Sequence, residues 1–456
     1  MKYISTRGND GPLGYEEALL SGLARDGGLY LPTSYPRFSA QEIAAMRGLS
    51  YPELAGLIMA RFTDGEIEAD ELTAMAGDAY AGFDDPAVAP LRHLTGDIHV
   101  LELFHGPTLA FKDVALQLLG QLFQHVLALR NQRLNILGAT SGDTGSAAIA
   151  GVRGQDNVDI FILYPKGRVS PLQELQMTTV PDRNVHCIEV DGTFDDCQRL
   201  MKETFADLDY KAKYQLGAVN SVNWARVLAQ IVYYGYASLK APAAAQFSVP
   251  TGNFGNVFAA YLAQRMGFPI NKLIVATNEN DILARFFATG EYALGQVHQT
   301  VSPAMDIQVA SNFERFLYYY FEEDSEGLNG FMSDFAATGR ASLEVAPATA
   351  LFAAVAINQQ QTLAAMRDIK TRFGYVLDPH TAVGVAAAQQ LCGAEEPILC
   401  IATAHPAKFP EAVEQATDTV PTHPSLDALS GLAQRKSSLD ADLSAVKRFL
   451  AESVPA

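Results

Sequence analysis

The chain has 456 residues, of which 48% are hydrophobic and 18% are charged, a composition typical of a globular protein with a large core. Its formal charge of −18 argues against nucleic acid or an anionic membrane surface as a partner, but leaves a small anionic ligand open. The uncharged apolar tract at residues 345–357 has thirteen residues, too few for a membrane-spanning helix of roughly 20.

The first ninety residues carry apolar side chains at helical spacing, in three stretches that Gly and Pro turns separate. These stretches are residues 41–46, 51–62 and 70–80. We therefore predict a helical N-terminal domain over residues 1–90, followed by a second region over residues 91–456.

From about residue 91 onward, short apolar runs alternate with longer amphipathic stretches. The predicted strands are residues 134–137, 158–164, 185–190, 246–249, 273–276 and 398–402. The predicted helices include residues 114–129, 194–205, 222–239 and a segment ending at 266, with further helices from 146 and from about 409. Such alternation predicts parallel sheets covered on both faces, with ligands bound beyond the carboxyl ends of the strands.

Residues 250–256, PTGNFGN, follow a predicted strand and precede a helix. Two glycines allow a tight turn, and the first turn of the helix supplies unpaired N–H groups at a positive dipole end. These features indicate a phosphate site, although a strand-to-helix turn that binds nothing is an equal alternative.

Residues 138–146, GATSGDTGS, form a second loop of this kind. Its hydroxyls and glycines favour another anion site, for instance for a carboxylate. The alternative is that Ser141 or Asp143 only caps the following helix.

Lys112 lies among apolar and small residues, just before a predicted helix. Because burial disfavours an ammonium, such a lysine tends towards the neutral amine that a Schiff base with an aldehyde requires. The alternative is an exposed lysine of the first helical turn, paired with Asp113. His105, seven residues earlier, is predicted to be structural.

Thr403 follows the last predicted strand, where its hydroxyl could meet a heteroatom of a ring cofactor or simply cap the next turn. A lysine that traps an aldehyde, a phosphate site and a hydroxyl for a ring nitrogen are together what pyridoxal 5'-phosphate requires.

In these residues the chain resembles the longer threonine synthases of enteric bacteria and fungi, a family of fold type II pyridoxal phosphate enzymes. The resemblance covers nearly the whole chain. Besides the loops above, it includes DGGLY at 26–30, YPKGR at 164–168, SVNWAR at 221–226, SNFER at 311–315 and DPHTA at 378–382. It implies an α/β fold with two parallel-sheet lobes, a helical N-terminal domain, and an active site between the lobes.

The resemblance also implies roles for individual residues. Lys112 would form the Schiff base, and Thr403 would face the pyridine nitrogen. The loop at 140–145 would receive the substrate carboxylate, although related enzymes of the fold often have asparagine where this chain has Asp143. The residues implied to bind the cofactor phosphate are Gly252, Asn253, Phe254, Gly255 and Asn256, and those implied to bind substrate are Thr140, Ser141, Asp143 and Thr144.

The reaction implied is conversion of O-phospho-L-homoserine and water to L-threonine and phosphate, the last step of threonine biosynthesis. Lys166 and Arg168 are candidates for binding the substrate phosphate, with solvated loop charges as the alternative. Two rival functions stay open: another fold type II enzyme, such as a dehydratase or cysteine synthase, and a catalytically silent binder of the cofactor.

The location and assembly of the protein are less constrained by the sequence. No secretory signal is recognisable at the N-terminus, and no two cysteines form a CxxC pair, so we expect a cytoplasmic protein without a bound metal. The four cysteines, which we expect to be buried and structural, are Cys187, Cys197, Cys392 and Cys400. The oligomeric state, monomer or homodimer, is not determined.

Overall fold

The structure is a computed structural model that describes residues 1–345, 350–391 and 396–454. Cys392 and part of the apolar tract at 345–357 lie outside the described residues. Within the described ranges, no helix is long and apolar enough to cross a membrane.

The chain folds into fifteen strands and nineteen α-helices within the described ranges. The strands are β1 Tyr3–Ser5, β2 Tyr30–Pro32, β3 Leu91–Thr95, β4 Ile98–Glu102, β5 Leu134–Ala139, β6 Val158–Pro165, β7 Val185–Asp191, β8 Leu216–Gly217, β9 Ala245–Pro250, β10 Ile270–Thr277, β11 Glu291–Ala293, β12 Arg340–Ser342, β13 Phe352–Ala356, β14 Ile398–Ala402 and β15 Ser437–Asp440. The helices are α1 Tyr15–Ser21, α2 Ala40–Met46, α3 Tyr51–Thr63, α4 Ala69–Tyr80, α5 Lys112–Arg130, α6 Asp143–Val152, α7 Pro171–Thr178, α8 Phe194–Ala206, α9 Leu208–Lys213, α10 Trp224–Lys240, α11 Gly255–Arg265, α12 Ile282–Thr289, α13 Phe313–Tyr320, α14 Ser325–Thr338, α15 Gln359–Phe373, α16 Pro379–Leu391, α17 Pro410–Thr417, α18 Pro424–Asp427 and α19 Leu443–Ser453.

The three helices predicted near the N-terminus are confirmed as α2, α3 and α4. Ser39 and Ser50 begin α2 and α3 as N-caps, and each completes a capping box with the glutamate three residues later. The pairing of β1 with β2 was not predicted, because three-residue strands give too little periodicity to recognise.

Two separate sheets confirm the prediction of two parallel-sheet lobes. The larger sheet has the order β13-β10-β9-β14-β4-β3, and all of its neighbours are parallel except β3, which is antiparallel to β4. The smaller sheet, β15-β7-β6-β5-β8, is entirely parallel. Strands β5, β6 and β14 are predominantly apolar, without alternation of polar and apolar residues, because they are buried on both faces.

The order of the strands along the chain brings the predicted loops together. The chain leaves the larger sheet after β4, builds β5 to β8 of the smaller sheet, and returns at β9. Helix α5 follows β4 of the larger sheet, and helix α6 follows β5 of the smaller sheet. The first turns of these two helices therefore follow strands of different sheets. The loops after β9 and β14 lie side by side, because these neighbouring parallel strands pair Ser248 with Cys400 near their carboxyl ends.

Candidate active site

Lys112 is the first residue of α5, and its side chain is 14% exposed. Its Nζ lies 3.8 Å from Oδ2 of Asp143, the first residue of α6, and helix α5 packs against α6. Burial lowers the pKa of the Lys112 amine; the charge of Asp143 opposes this, while the positive charges of Lys408 and Arg226 add to it. The prediction of a buried lysine poised towards its neutral form is supported by this environment.

Asp113 does not pair with Lys112, so the alternative of an exposed first-turn lysine is wrong. Its carboxylate accepts hydrogen bonds from the Thr108 backbone N–H at 2.8 Å and the Thr108 hydroxyl at 2.6 Å. Burial raises the pKa of Asp113 to about 6, although these hydrogen bonds act in the opposite direction. A Cβ at Gly106 would lie 2.4 Å from the Asp113 Cβ, which explains the glycine in this segment.

Asp143 lies at the first turn of α6 but does not cap it: the N-cap is Gly142, with no side-chain cap. Its Oδ1 is 2.8 Å from the Lys408 ammonium and accepts a 2.8 Å hydrogen bond from Gln173 Nε2. Burial alone would raise the pKa of Asp143, yet Lys408 and Lys112 lower it well below its usual range. Asp143 is therefore a carboxylate held between two ammonium groups.

Lys408 was not predicted as a site residue. Its side chain is fully buried, and its ammonium donates a 2.7 Å hydrogen bond to the Thr108 carbonyl in addition to pairing with Asp143. It lies in a short 3-10 helix, Pro406–Lys408, just after Thr403. The same signal that identified Lys112, a lysine among small and apolar residues, was present at Lys408.

The remaining loop residues after β5 have mixed surroundings. The Thr140 hydroxyl accepts hydrogen bonds from the backbone N–H groups of Gly142 and Gly145, each at 3.0 Å, so it shapes the loop itself. Ser141 is exposed and Thr144 is half-buried. Binding of the substrate carboxylate by this loop stays a prediction.

The two glycines of the loop after β9 lie close to neighbouring residues, which leaves little room for a side chain. A Cβ at Gly252 would lie 2.8 Å from the Ala304 carbonyl oxygen. Phe254 adopts a left-handed conformation with φ 63° and is buried within an aromatic cluster, while Asn253 is exposed. This arrangement presents backbone N–H groups at the start of α11, where a helix leaves its first donors unpaired.

Asn256 is oriented by two tyrosines of α10. Its Oδ1 accepts hydrogen bonds from the hydroxyls of Tyr233 and Tyr234. Its Nδ2 is buried and has no partner among the residues that the structure describes. A buried amide donor without an acceptor is costly, so this group indicates a ligand oxygen at the start of α11.

Thr403 is 6% exposed, and its backbone N–H and C=O are paired with the Thr381 hydroxyl and the Phe111 N–H. The bond from Phe111, at 2.8 Å, ties Thr403 directly to the residue before Lys112. The Thr403 hydroxyl is buried and lacks a hydrogen-bond partner in the described ranges. It caps no turn, so that alternative is wrong, and the hydroxyl is available to a ring heteroatom.

Arg226 is a second cation that the sequence did not single out, although it ends the SVNWAR segment. It is 2% exposed, its Nη1 donates to the Val219 carbonyl at 3.0 Å, and its Nε has no partner in the described part of the chain. No carboxylate of the described residues forms an ion pair with it. Burial lowers its pKa to about 10, and it remains a cation at neutral pH.

Lys166 and Arg168, the candidates for a substrate phosphate, are both exposed, and Lys166 lies 3.9 Å from Glu189. They fit the alternative of solvated loop charges. A buried guanidinium without a carboxylate is a better phosphate ligand, since it has donors to offer and a charge to neutralise.

The residues present fit pyridoxal phosphate. Lys112 supplies an amine with a lowered pKa, Asn256 supplies an unpaired amide donor beside a helix start, and Thr403 supplies an unpaired hydroxyl. No group of three or more His, Cys, Asp or Glu side chains suited to a metal occurs among the described residues.

Three family models together match most of the chain. Residues 2–80 match the threonine synthase N terminus, residues 86–404 match the pyridoxal-phosphate dependent enzymes, and residues 381–450 match the threonine synthase C-terminal model.

Similar proteins and structures agree with these models. A threonine synthase of Pseudomonas aeruginosa is 48% identical, over 99% of this chain and 98% of its own length. A crystal structure of pyridoxal-phosphate-bound threonine synthase from Brucella melitensis superimposes with a TM-score of 0.96 at 47% identity, covering 100% of both chains. Yeast threonine synthase gives a TM-score of 0.93 at 40% identity over 99% of this chain and 98% of its own. This chain belongs to the threonine synthase family of pyridoxal-phosphate-dependent enzymes.

Proposed function

We propose that the protein converts O-phospho-L-homoserine and water to L-threonine and phosphate, with pyridoxal phosphate as cofactor. This proposal rests on one observation, the presence of two buried groups in the same region. One is the amine of Lys112, and the other is the guanidinium of Arg226, which pairs with no carboxylate of the described residues and whose charge lowers the pKa of that amine. A substrate with an amino group and a phosphate requires both. The chain also spans nearly the full length of the threonine synthases that it resembles.

Lys112 would hold the cofactor and transfer protons. Bound pyridoxal phosphate supplies an electron sink that stabilises negative charge at the substrate Cα. The free amine of Lys112 would accept and return protons at the Cα and Cβ of the substrate. Its lowered pKa favours the neutral amine that can accept a proton, and each such transfer is worth roughly 10²–10⁴ in rate.

Asp143 and Lys408 position this amine. Asp143 is fixed by Lys408 and Gln173, so it remains charged and stationary 3.8 Å from the Lys112 Nζ. It attracts the amine after displacement and limits how far the pKa of Lys112 can fall. This role suits an aspartate, whereas a neutral asparagine would leave two buried ammonium groups without a counter-charge.

The loop at 252–256 and Asn256 Nδ2 would hold the cofactor phosphate through neutral donors. Thr403 would face the pyridine nitrogen through its unpaired hydroxyl. A neutral hydroxyl there leaves the nitrogen unprotonated, which weakens the electron sink and makes support for the leaving phosphate more important.

Arg226 would support that phosphate. Its Nη1 is anchored on the carbonyl of Val219, and next to Val219 the buried Oδ1 of Asn220 lacks a partner in the described part of the chain. A loop with an unpaired amide oxygen and a buried guanidinium is suited to a protonated phosphate oxygen and its neighbours.

Two coarser expectations become part of the proposal. The division into residues 1–90 and 91–456 is supported by the change from helices to sheet strands at β3. A cytoplasmic location is supported by the thiols of Cys187 and Cys197, which are buried and form no disulfide.

The test is an assay of L-threonine and inorganic phosphate from O-phospho-L-homoserine, with and without added pyridoxal phosphate. We expect the two products in a 1:1 ratio. Release of pyruvate or 2-ketobutyrate from serine or threonine at comparable kcat/KM would instead favour the dehydratases, and cofactor binding with no turnover of any amino acid would favour the silent binder.

The phosphate site is tested by Arg226→Met, with Lys166→Met as the matched control. We expect the kcat/KM of Arg226→Met to fall by roughly 10²-fold or more, because a charge-assisted contact of about 3 kcal/mol is lost. Lys166→Met should change kcat/KM less than about twofold. The reverse order would move the phosphate site to the exposed loop.

A further inference from the structure

A cavity of about 550 Å³ lies far from the candidate active site, between the N-terminal region and the smaller sheet. Its wall includes Leu134 at the start of β5, whereas the active-site loop follows the other end of this strand. The six residues of β5 span roughly 17 Å from end to end. The cavity is therefore a separate feature, in the size range of small-molecule sites.

The lining of the cavity is divided between apolar and basic side chains. Seven of its 17 lining residues are leucines, and one of these, Leu208, is 56% exposed at the mouth. Four others are Arg25, Arg130, Arg133 and Lys211, against the single acidic residue Glu17. In a chain of net charge −18, such a local excess of cations is unusual.

Three of these cations are already in ion pairs with carboxylates behind the wall. Arg25 pairs with Asp10 at 2.8 Å, Arg130 with Glu16 at 2.8 Å and Arg133 with Asp159 at 3.0 Å. A guanidinium carries five N–H donors, so each keeps donors to offer.

Lys211 has no such partner. It forms no ion pair within the described ranges, and its ammonium lies 5.6 Å from the centre of the Phe205 ring. The carboxylate of Asp10, which is paired with Arg25, acts on it only from beyond ion-pair distance. Burial lowers its pKa, the usual consequence of a half-buried ammonium. An anion beside Lys211 would add the close counter-charge that Asp10, which is already paired with Arg25, does not provide.

We propose that this cavity binds an amphipathic organic anion, with an aliphatic or aromatic body on the leucines and a carboxylate, sulfonate or phosphate at Lys211 and the arginines. A purely apolar ligand would leave the cations unused, and a cationic amphiphile would be repelled by them. Charge complementarity therefore selects the anion.

The wall of the cavity is continuous with the segment that leads to Arg226. Ala212, Gln215 and Leu216 line the cavity, and the chain then runs directly through residues 218–223 to α10. Asn223 Nδ2 ties this segment to the opposite wall through the Leu19 carbonyl of α1 at 3.0 Å. We therefore expect an occupied cavity to change the KM for the phosphorylated substrate, a consequence that rests on the role proposed for Arg226.

Binding is tested by calorimetric titration of the holoenzyme with decanoate and with decyltrimethylammonium, both below their micelle concentrations. The two probes share a ten-carbon chain and differ in the sign of the head group. We expect decanoate to bind with 1:1 stoichiometry, and the cation to bind at least about tenfold more weakly. Equal affinities, or no decanoate binding, would overturn the proposal.

Matched variants locate the binding. Lys211→Glu should weaken decanoate binding roughly fivefold or more, whereas Lys213→Glu, on the same helix but outside the cavity lining, should not change it. Leu208→Asp at the mouth should also weaken binding, and Leu129→Asp, at an exposed leucine that does not line the cavity, should not. Equal loss in a variant and its control would mean that decanoate binds elsewhere.

The coupling to catalysis has its own readout. Saturating decanoate should change the KM for O-phospho-L-homoserine by at least about threefold in the parent enzyme, but not in Lys211→Glu. If decanoate binds but the KM is unchanged, the proposed coupling is refuted while the proposed binding site stands. Failure of the proposed function would differ from both, because turnover would be absent before any decanoate is added.

Discussion

The loop after β5 and the loop after β9 both join a buried strand to a helix, yet they treat charge in opposite ways. The first brings Asp143 into a buried cluster with Lys112 and Lys408. The second has no charged side chain between residues 250 and 256, and offers backbone N–H groups and the Asn256 amide. One half of the candidate site is ionic, and the other is built from neutral dipoles.

This difference suits the two tasks. A proton-transferring amine needs charges near it, because its pKa is set by burial and by neighbouring ions. A permanently bound phosphate needs no counter-ion if enough preoriented donors surround it. The function of the ionic half should therefore be sensitive to the loss of a single charged side chain. That of the neutral half should be sensitive to an added side chain that displaces the loop.

The largest effect is expected from Lys112→Ala. It removes both the Schiff-base amine and the base, so the visible Schiff-base absorbance of the purified protein should disappear and turnover should fall by more than about 10⁴. Absorbance spectra and the threonine assay measure the two losses. Full activity in this variant would contradict the mechanism, and Lys166→Ala serves as the control for lysine loss.

The second prediction concerns the ionic half alone. Lys408→Met leaves Asp143 with Lys112, 3.8 Å away, as its only paired cation among the described residues, and breaking a buried pair in this way costs about 3–5 kcal/mol of the free energy of unfolding. The double variant Lys408→Met with Asp143→Asn removes both charges and should recover much of this loss. Urea unfolding of the apoprotein measures it, and an additive double variant would mean that the two residues are not coupled.

The pH dependence of this loss has a definite sign. Because the pKa of Asp143 is lowered in the folded state, its ion pairs contribute stability above the unfolded-state pKa of about 3.9, and this stability is lost as the pH falls through the folded-state value. The difference between wild type and Lys408→Met should therefore be fully present at neutral pH and shrink in acid.

The same variant should shift the titration of Lys112. The positive charge of Lys408 lowers the pKa of the Lys112 amine, so its removal raises that pKa. Reloading of the apoprotein with pyridoxal phosphate requires the neutral amine, so the midpoint of its rate should move to higher pH. An unchanged midpoint would exclude Lys408 as a positioning residue.

The third prediction concerns the neutral half. Gly252→Ala places a methyl group 2.8 Å from the Ala304 carbonyl, so the loop must shift away from its present path. We expect the affinity for pyridoxal phosphate to fall roughly tenfold, with little change in the pH dependence of reloading. Gly77→Ala, where a Cβ meets nothing within 4 Å, is the control in equilibrium dialysis. Equal cofactor affinity in the two variants would contradict the close approach.

The sequence predicts those parts of the site that depend on local patterns, and not those that depend on contacts between distant segments. Strand ends and glycine loops are local patterns, so the loop at 252–256, Lys112 and Thr403 could be identified along the chain. The small and apolar surroundings of Lys408 were visible in the sequence, but its pairing with Asp143 was not. Gln173 gave no such signal, because its role arises only when residues 408, 173 and 143 meet in the folded chain. The same reason explains why Arg226 was noted only as part of a family segment, and why β15 was not placed in the smaller sheet.

The smallest effect is expected from Thr403→Val, and it separates a cofactor contact from a structural one. The Thr403 hydroxyl has no partner in the described part of the protein, so its replacement by a methyl group should leave the stability of the apoprotein unchanged within about 0.5 kcal/mol.

With cofactor bound, the same change removes one hydrogen bond to the ring, so the holoenzyme should lose about 1 kcal/mol and kcat should fall roughly tenfold while the chromophore is retained. Thr381→Val is the matched control, because the Thr381 hydroxyl bonds to Asp378 and accepts from the Thr403 N–H. Its loss should destabilise the apoprotein and holoenzyme alike. Thermal unfolding of both forms measures the difference, and equal losses for Thr403→Val in the two forms would remove its hydroxyl from the cofactor site.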